Sequence, residues 1–280
     1  MLPSTLALLQ CPACGAGALA SSEGLLRCGR GHAFPVVDGI PRLVDPPDLV
    51  YRFEDASTYD ALMDFVARLL RADEAAARRR AIASLGLGPG ARVLEIGCGP
   101  GNNFSYLFEA LGETGELFAG DVSPTMIEAA RTRPVADPDR RHLFLLNGMR
   151  LPFVDRAFDA VLQIGTLNRF PDIRAALAEM VRVTRPGGRI VVSDEGVAPW
   201  LEGTEYGALL RKFGGFFDGT APLDALPPEA QDVCVRWDFG QAFYAIEFRV
   251  GEPPAADLDV PLPGRSVTVR EVLEKGSSAS

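Results

Sequence analysis

Positive charge, histidine and long apolar runs are all scarce in this sequence. Its 280 residues include 28 Lys and Arg against 37 Asp and Glu, a net charge of −9, and two histidines. Because nucleic-acid binding requires basic side chains that neutralise phosphates, this balance disfavours a nucleic-acid partner. No apolar run approaches the ~18 residues of a membrane span, and the first ten residues lack the basic flank of a secretion signal. We therefore expect a cytoplasmic protein whose five cysteines are thiols or metal ligands rather than disulfides.

Motifs of several common enzyme classes are also missing. The sequence contains no H-E-x-x-H, no P-loop and no Ser-His-Asp pattern. A glycine-rich stretch is present, but Asn102 stands where the dinucleotide fingerprint G-x-G-x-x-G requires its third glycine. This disfavours a nicotinamide or flavin enzyme. Apolar residues make up 47% of the chain, enough for one full α/β domain and a small extra module.

The stretch 93–101, V-L-E-I-G-C-G-P-G, is the most informative one in the chain. Its short apolar run predicts a buried parallel strand, and a helix is predicted over 102–111. The glycines of the turn between them are Gly97, Gly99 and Gly101. A strand, a glycine-rich turn and a helix N-terminus form a cradle for a nucleotide-like ligand. Glu95 would repel a phosphate but suits a positive centre, which favours S-adenosylmethionine, a ligand that combines an adenosine, a cation and an amino acid.

A second predicted strand, 117–120, ends at Asp121, where an acid can accept hydrogen bonds from two ribose hydroxyls. Four ordered motifs within 91–194 then resemble class I S-adenosylmethionine-dependent methyltransferases of the small-molecule type. The motifs are V-L-E-I-G-C-G-P-G (93–101), D-V-S-P-T-M-I-E-A-A-R (121–131), L-P-F-V-D-R-A-F-D-A-V (151–161) and R-P-G-G-R-I-V-V (185–192). The resemblance implies an α/β fold with a doubly wound, Rossmann-like, seven-stranded and mostly parallel sheet. The patterns at 232–238 and 242–250 suit its terminal antiparallel hairpin.

The same resemblance implies which residues contact the cofactor. Met126 matches a position that packs on adenine, and Asn147 stands where relatives often have an Asp that accepts from the adenine amino group. Tyr59, on helices predicted between 57 and 85, is either a lid residue over the cofactor or a packed aromatic. The predicted cofactor contacts are Tyr59, Glu95, Gly97, Cys98, Gly99, Gly101, Asp121, Val122, Met126, Asn147, Gly148, Met149, Gln163 and Ile164.

The N-terminal segment carries the spacing of a metal site. Cys11 and Cys14 form C-x2-C, and Cys28 and His32 form C-x3-H. Three thiolates and one imidazole complete a tetrahedral zinc site, although a ribbon that has lost its metal would keep the same residues. The segment resembles the zinc-ribbon activator proteins that partner tRNA and protein methyltransferases. It also resembles the ribbon of a bacterial rRNA guanine-N1 methyltransferase.

These patterns divide the chain into three parts. Residues 1–45 are predicted to form a small zinc-ribbon-like module, and 46–250 the methyltransferase domain. Residues 251–280 are rich in proline and acidic residues and end in G-S-S-A-S, which predicts a loose tail.

The region of the methyl acceptor is less well defined by the sequence. The segment 197–217 is predicted to be a helical roof over the acceptor, with Trp200 and Tyr206 as pocket residues or, alternatively, as core residues. Its aromatic residues and acidic surroundings predict an apolar or cationic small-molecule acceptor. Relatives often carry a histidine near 165–170, where this chain has Asn168 and Arg169. We therefore assign no catalytic residue and expect His142, at a strand start, to be structural or on the surface rather than catalytic.

Three functions remain open from the sequence. The first is methylation of a small molecule. The second is methylation of rRNA or tRNA with the ribbon as an RNA grip, which is disfavoured because residues 1–45 carry only Arg27, Arg30 and Arg42 as basic residues. The third is a protein that retains the cofactor without methylating. The sequence assigns neither the methylated atom nor the oligomeric state.

Overall fold

A computed structural model describes residues 3–15, 17–44, 56–213, 215–263 and 267–277. The strands are β1 (Ala20–Ser22), β2 (Leu25–Arg27), β3 (Ala33–Val37), β4 (Ile40–Leu43), β5 (Arg92–Ile96), β6 (Glu116–Asp121), β7 (Arg141–Leu146), β8 (Phe158–Ile164), β9 (Thr184–Glu195), β10 (Ala230–Asp238) and β11 (Phe243–Val250). The α-helices are α1 (Pro3–Ala7), α2 (Ala56–Leu70), α3 (Glu74–Ala83), α4 (Phe104–Leu111), α5 (Pro124–Thr132), α6 (Ile173–Val183), α7 (Glu205–Arg211) and α8 (Val269–Ser277). In the part of the chain that the structure describes, no helix combines the length and apolarity needed to cross a bilayer.

The described strands form one sheet in the order β1-β2-β3-β4-β7-β6-β5-β8-β9-β11-β10. Strands β7, β6, β5, β8 and β9 run parallel, while β11 pairs antiparallel with β9 and with β10. The predicted α/β fold with seven mostly parallel strands and a terminal hairpin is confirmed, and β1–β4 extend that sheet. Strand order reverses between β5 and β8, which is where ligands bind in open α/β sheets, outside the carboxyl ends of the strands.

Local sequence accounts for the elements that surround this reversal. Strand β5 is central, since Leu94 is in register with Phe118 of β6 on one side and Val161 of β8 on the other. Helix α5 begins after Ser123, whose hydroxyl accepts from the backbone N–H of Met126 at 3.3 Å, an N-cap. These side chains and caps hold the carboxyl ends of β5 and β6 in place.

Strand β9 is long and irregular near its start. The stretch 185–188, R-P-G-G, lies within the strand and coincides with a register shift against β8, between Phe158 and Ala160. The strand extends to Glu195, because β11 pairs with it up to that residue. The extension carries Glu195 to the edge of the sheet where ligands bind.

The predicted N-terminal module shares the sheet with the rest of the chain. Strand β4 pairs parallel with β7, with Arg42 opposite Leu145 and Leu43 opposite Leu146. The backbone N–H of Val154 also donates to the carbonyl of Leu8 at 2.9 Å. The segment 151–156, part of a methyltransferase-like motif, is therefore where the module docks.

The module also shares a hydrophobic core with the parallel sheet. Leu9, Leu26 and Phe34 of the module belong to one buried cluster with Phe118 and Phe153. The predicted boundary after residue 45 lies outside the described residues. At the other end, the predicted loose tail contains a helix, α8, over Val269–Ser277.

Candidate active site

A cleft opens at the carboxyl ends of the parallel strands. Gly97, Asp121 and Gly148, which follow or end β5, β6 and β7, line one part of it, called here the β5–β7 end. Thr166 and Glu195, which follow β8 and end β9, line the other part, called here the β8–β9 end. Helix α2 and the segment after α7 also contribute to the wall. The cleft thus spans the point at which strand order reverses.

The glycine-rich turn has a backbone that larger residues do not adopt easily. Gly97 has φ +69°, and a Cβ atom there would lie 2.4 Å from Oγ1 of Thr166. The N–H groups of Gly97 and Cys98 donate to the carbonyl of Gly120 at 2.8 and 3.1 Å. The turn is therefore tied to β6 and packed against the loop after β8, which lets a ligand approach the backbone closely.

Asp121 is held in place by the same turn. Its carboxylate is buried and accepts hydrogen bonds from the backbone N–H of Gly99 and of Ser123, each at 2.9 Å. Burial raises the pKa of Asp121, and these backbone hydrogen bonds oppose the rise. Because each carboxylate oxygen has a second lone pair, both can still accept from a pair of hydroxyl groups on a ligand.

A network of buried, hydrogen-bonded side chains positions Arg78 at the cleft wall. Oε1 of Glu95 accepts from Nδ2 of Asn103 at 2.6 Å, and Oδ1 of Asn103 accepts from Nη1 of Arg78 at 2.5 Å. Nε of Arg78 donates to Glu74 at 2.8 Å, one helical turn away on α3. Arg78 lines the cleft, whereas Glu95 lies behind it and acts through Asn103. A largely buried guanidinium beside the glycine-rich turn suits a carboxylate on the ligand.

The β8–β9 end is built around the short turn 167–169. The N–H of Asn168 donates to Asp194 at 2.7 Å, and its side-chain amide donates to the carbonyl of Glu195 at 2.8 Å. The hydroxyl of Tyr244 donates to Oδ1 of Asn168 at 2.8 Å. These bonds place Arg169 and Glu195 side by side on the cleft wall, with 3.7 Å between Nη2 and Oε2.

The four predicted metal ligands also come together. The ligand atoms of Cys11, Cys14, Cys28 and His32 all lie within 4.8 Å of one another. Nδ1 of His32 lies 3.6 Å from Sγ of Cys11 and 3.3 Å from Sγ of Cys28. Zinc with its usual bond lengths separates tetrahedral ligand atoms by roughly 3.3–3.8 Å, so this donor set fits the metal.

Comparisons with known proteins agree with this geometry. Residues 94–192 match the family described as Methyltransferase domain. A demethylmenaquinone methyltransferase from Beutenbergia cavernae is 35% identical over 175 residues, which cover 60% of this chain and 67% of that protein. The chain belongs to the class I S-adenosylmethionine-dependent methyltransferases. The predicted family, the enzyme class and S-adenosylmethionine as the cofactor are thereby confirmed.

Of two further similar proteins, one matches a smaller part of this chain and the other shows only that the fold is shared. The UbiE C-methyltransferase of ubiquinone and menaquinone biosynthesis from Burkholderia cenocepacia is 36% identical over 138 residues, or 49% of this chain. This methyltransferase spans about half of that relative, 55% of its length. The geranyl diphosphate C-methyltransferase from Streptomyces coelicolor A3(2) shares the fold, with a TM-score of 0.50 at 13% identity, over 64% of this chain and 79% of its own.

The structure brings eight of the fourteen predicted cofactor contacts of this methyltransferase to the cleft wall. They are Tyr59, Gly97, Cys98, Gly99, Asp121, Val122, Gly148 and Ile164. Six others do not line it: Glu95, Gly101, Met126, Asn147, Met149 and Gln163. The side chain of Asn147 accepts a hydrogen bond from the N–H of Met149 at 2.9 Å, and that of Gln163 forms a hydrogen bond with the hydroxyl of Thr166 at 2.8 Å. Asn147 and Gln163 therefore stabilise loops beside the cleft.

Neither of the predicted acceptor-pocket residues lies on the cleft wall. Trp200 is 60% exposed, and its Nε1 donates to Gln241 at 2.7 Å. The hydroxyl of Tyr206 donates to the carbonyl of Gly240 at 2.8 Å, which ties α7 to the hairpin. The predicted roof segment instead contributes Phe216 to the cleft. Aromatic spacing alone did not distinguish the residue that faces the cleft from those that face the hairpin.

Arg78 and Glu195 line the cleft but were not predicted from the sequence. Arg78 is one of three consecutive arginines in α3, and no local pattern separates it from its neighbours. Glu195 reaches the cleft because β9 extends to it by pairing with β11, which no local pattern indicates. For Arg169 the sequence did offer an indication of a role in the site, since this residue lies in the segment 165–170, where relatives often carry a histidine. His142 lies at the start of β7 and contacts Glu116 at 3.2 Å, away from the cleft.

Glu95 makes the stability of this methyltransferase depend on pH. Burial raises its pKa from 4.5 to about 7, while the hydrogen bond from Asn103 and the charge of Arg78 lower it. Its contribution is complete below pH 4.5 and is lost as the pH rises through about 7, because the folded state prefers the proton. The shift is worth on the order of 3 kcal/mol. Between pH 4.5 and about 7 the free energy of unfolding of Glu95→Gln, measured by denaturant titration, should fall by about 3 kcal/mol less than that of the unaltered protein.

The matched control for that measurement is Glu113→Gln, at an exposed position outside the cleft. It should keep the pH dependence of the unaltered protein. Equal slopes in all three proteins would show that Glu95 does not hold a proton in the folded state.

Proposed function

We propose that this protein transfers the methyl group of S-adenosylmethionine to a small, uncharged aromatic acceptor of the hydroquinone type. The names of the relatives support this class, since both act in the biosynthesis of quinones. The observation that carries the proposal is the division of the cleft, which has a glycine-rich end with Asp121 and a second end lined by aromatic and polar side chains. Such a division suits a cofactor beside a small acceptor.

The β5–β7 end suits the cofactor. When bound, S-adenosylmethionine supplies an electrophilic methyl group on a sulfonium. In this proposal the carboxylate of Asp121 accepts from the ribose hydroxyls, and the guanidinium of Arg78 pairs with the carboxylate of the amino-acid part. The turn 97–101 brings backbone close to the ligand, and the loops shaped by Asn147 and Met149 border the adenine.

The β8–β9 end suits the acceptor. Tyr59 and Phe216 give this end aromatic surface, and Arg169 and Glu195 give it polar groups. Aromatic side chains around a few polar groups are typical of sites for small, flat, hydroxylated molecules. Much of the catalysis then comes from holding the acceptor in line with the methyl group. The net charge of −9 also opposes a polyanionic acceptor such as RNA.

Methyl transfer to hydroquinones tests this proposal. We expect purified protein to transfer deuterated methyl from S-adenosylmethionine to naphthohydroquinone or benzohydroquinone, kept reduced under anaerobic conditions. The measurement is the gain of one labelled methyl group by mass spectrometry, with fragmentation to locate it on carbon or oxygen. Asp121→Asn should weaken cofactor binding in calorimetry by ~1–3 kcal/mol, because the ribose hydroxyls lose a charged acceptor.

Asp139→Asn is the matched control, since Asp139 is exposed and lies away from the cleft. Its cofactor affinity and transfer rate should equal those of the unaltered protein. Label that appears in added rRNA or tRNA and not in the hydroquinones would contradict the proposed acceptor class. Absence of any binding of S-adenosylmethionine would contradict the assigned β5–β7 end.

We also propose that Cys11, Cys14, Cys28 and His32 bind one structural zinc ion. The convergence of three sulfurs and one ring nitrogen supports this ligand set. The set has four protein ligands, which leaves no open position for substrate, so the role of the metal is to stabilise the module. Strands β1–β3 are short, and a metal supplies stability that so small a unit cannot obtain from apolar packing alone.

A further inference from the structure

Glu195 has no role in the cofactor contacts proposed above. It is 5% exposed, ends β9 and lines the cleft at its β8–β9 end. Its Oε2 atom has no hydrogen-bond partner among the residues that the structure describes, and Nη2 of Arg169 is 3.7 Å away. A buried carboxyl oxygen without such a partner is costly in a folded protein, so it calls for an explanation in terms of a ligand.

The surroundings of Glu195 favour a carboxyl group that exchanges a proton. Burial, then the charge of Asp194 and a side-chain hydrogen bond with Asp194, raise the pKa of Glu195 well above its usual value, while Arg169 opposes the rise. The other titratable groups that act on it are Tyr59 on α2 and Tyr244 on β11, and burial raises the pKa of each phenol as well. Both phenols therefore stay neutral near pH 7, and Glu195 is the carboxyl group that lines the β8–β9 end of the cleft.

We propose that Glu195 is the general base of the reaction, accepting the hydroxyl proton of the acceptor, with Arg169 positioned to stabilise the oxygen that loses it. This inference rests on the proposed function and adds a catalytic residue to it. A base works best when its pKa lies near the working pH, and burial shifts the pKa of Glu195 upward from the usual value of a carboxyl group, in that direction. The side chain occupies the end of the cleft where the histidine of relatives is replaced by Asn168 and Arg169.

The proton and electron balance is as follows for methylation on carbon. The O–H bond of the acceptor breaks, and its proton goes to Glu195. The electron pair moves through the ring to the carbon beside the hydroxyl, which bonds to the methyl carbon as the methyl–sulfur bond breaks and its pair stays on sulfur. Glu195 returns its proton to the oxygen while the methylated carbon loses a proton to water. One proton is released overall, and the sulfonium becomes a neutral thioether.

The test compares Glu195→Gln with the unaltered protein on whichever hydroquinone is methylated faster. The isosteric amide cannot accept the proton, so kcat/KM should fall by ~10²–10⁴-fold. The affinity for S-adenosylhomocysteine should stay within twofold. In the unaltered protein kcat/KM should rise with pH as Glu195 loses its proton, and Glu195→Gln should remove that rise. Glu195→Asp should restore part of the rate and the pH dependence.

Glu202→Gln is the control for loss of a nearby negative charge, since Glu202 pairs with Arg211 outside the cleft. It should leave kcat/KM and its pH profile unchanged. The inference is overturned if Glu195→Gln keeps kcat/KM within threefold, or if its cofactor affinity and melting temperature fall in step with activity. If the unaltered protein methylates no hydroquinone, the proposed function is overturned, and this inference with it. That outcome is distinguishable from a result in which only the role of Glu195 fails, because it concerns the unaltered protein.

Discussion

Cys28→Ser should unfold the N-terminal module and lower the melting temperature of the whole protein. The thiol of Cys28 is buried and belongs to the core shared by the module and the parallel sheet. Structural zinc contributes ~10–16 kcal/mol of apparent binding energy in small peptides, so losing one of four ligands should cost more than ~4 kcal/mol. For a chain of this size that corresponds to a fall in Tm of more than ~8 °C. Scanning calorimetry and elemental analysis of the same samples measure both effects.

The matched control is Cys234→Ser, because Cys234 is exposed on β10 and outside the metal cluster. It should change the free energy of unfolding by less than ~0.5 kcal/mol and keep about one zinc per chain. A chelator should lower the Tm of this control and of the unaltered protein alike. Stoichiometric zinc in Cys28→Ser, or none in the unaltered protein, would exclude the proposed ligand set.

Phe153→Ala should cost ~3–5 kcal/mol of unfolding free energy, measured by denaturant titration. The ring is fully buried, with centroids 4.9 Å from Phe158, 5.1 Å from Phe144 and 6.2 Å from Phe118. Its backbone also forms an antiparallel bridge with Leu9, so a cavity here weakens the contact between the module and the sheet. The removed ring leaves a void that close-packed neighbours fill only in part.

Phe65→Ala is the control for loss of a phenylalanine, since that ring is 44% exposed on α2. Its cost should stay below ~2 kcal/mol, because nearly half of that side chain remains in water in the folded protein. An equal, small effect of both substitutions would mean that the module does not depend on the core around Phe153.

The two substitutions concern one structural unit that the sequence divided into two. A C-x2-C and C-x3-H spacing indicated a separate module, because those ligands are close in sequence. The pairing of β4 with β7 joins residues about a hundred positions apart, and no local pattern reports such a pairing. The segment 151–156 looked like part of a methyltransferase motif, and the structure adds that it receives the backbone of Leu8–Gln10.

The glycine-rich end of the cleft was predictable because its parts are close in sequence to two strand ends. Gly97 and Gly99 follow β5 and Asp121 ends β6, and the carboxyl ends of adjacent parallel strands must meet at one edge of the sheet. Glycine permits the positive φ of the turn, and a carboxylate can accept from hydroxyl groups. The clustering of Cys11, Cys14, Cys28 and His32 was predictable from their spacing in the same way.

The sequence by itself therefore indicated the glycine-rich turn, Asp121 and the Cys/His cluster through short-range spacing, and the α/β fold through four ordered motifs that resemble a known family. Only the tertiary structure decided that Arg78 reaches the cleft through Asn103, that Glu195 faces it beside Arg169, and that Trp200 and Tyr206 do not. The physical reason is that a side chain's direction follows from hydrogen bonds and packing between elements far apart in sequence. Residue type and periodicity along one element carry no information on those contacts.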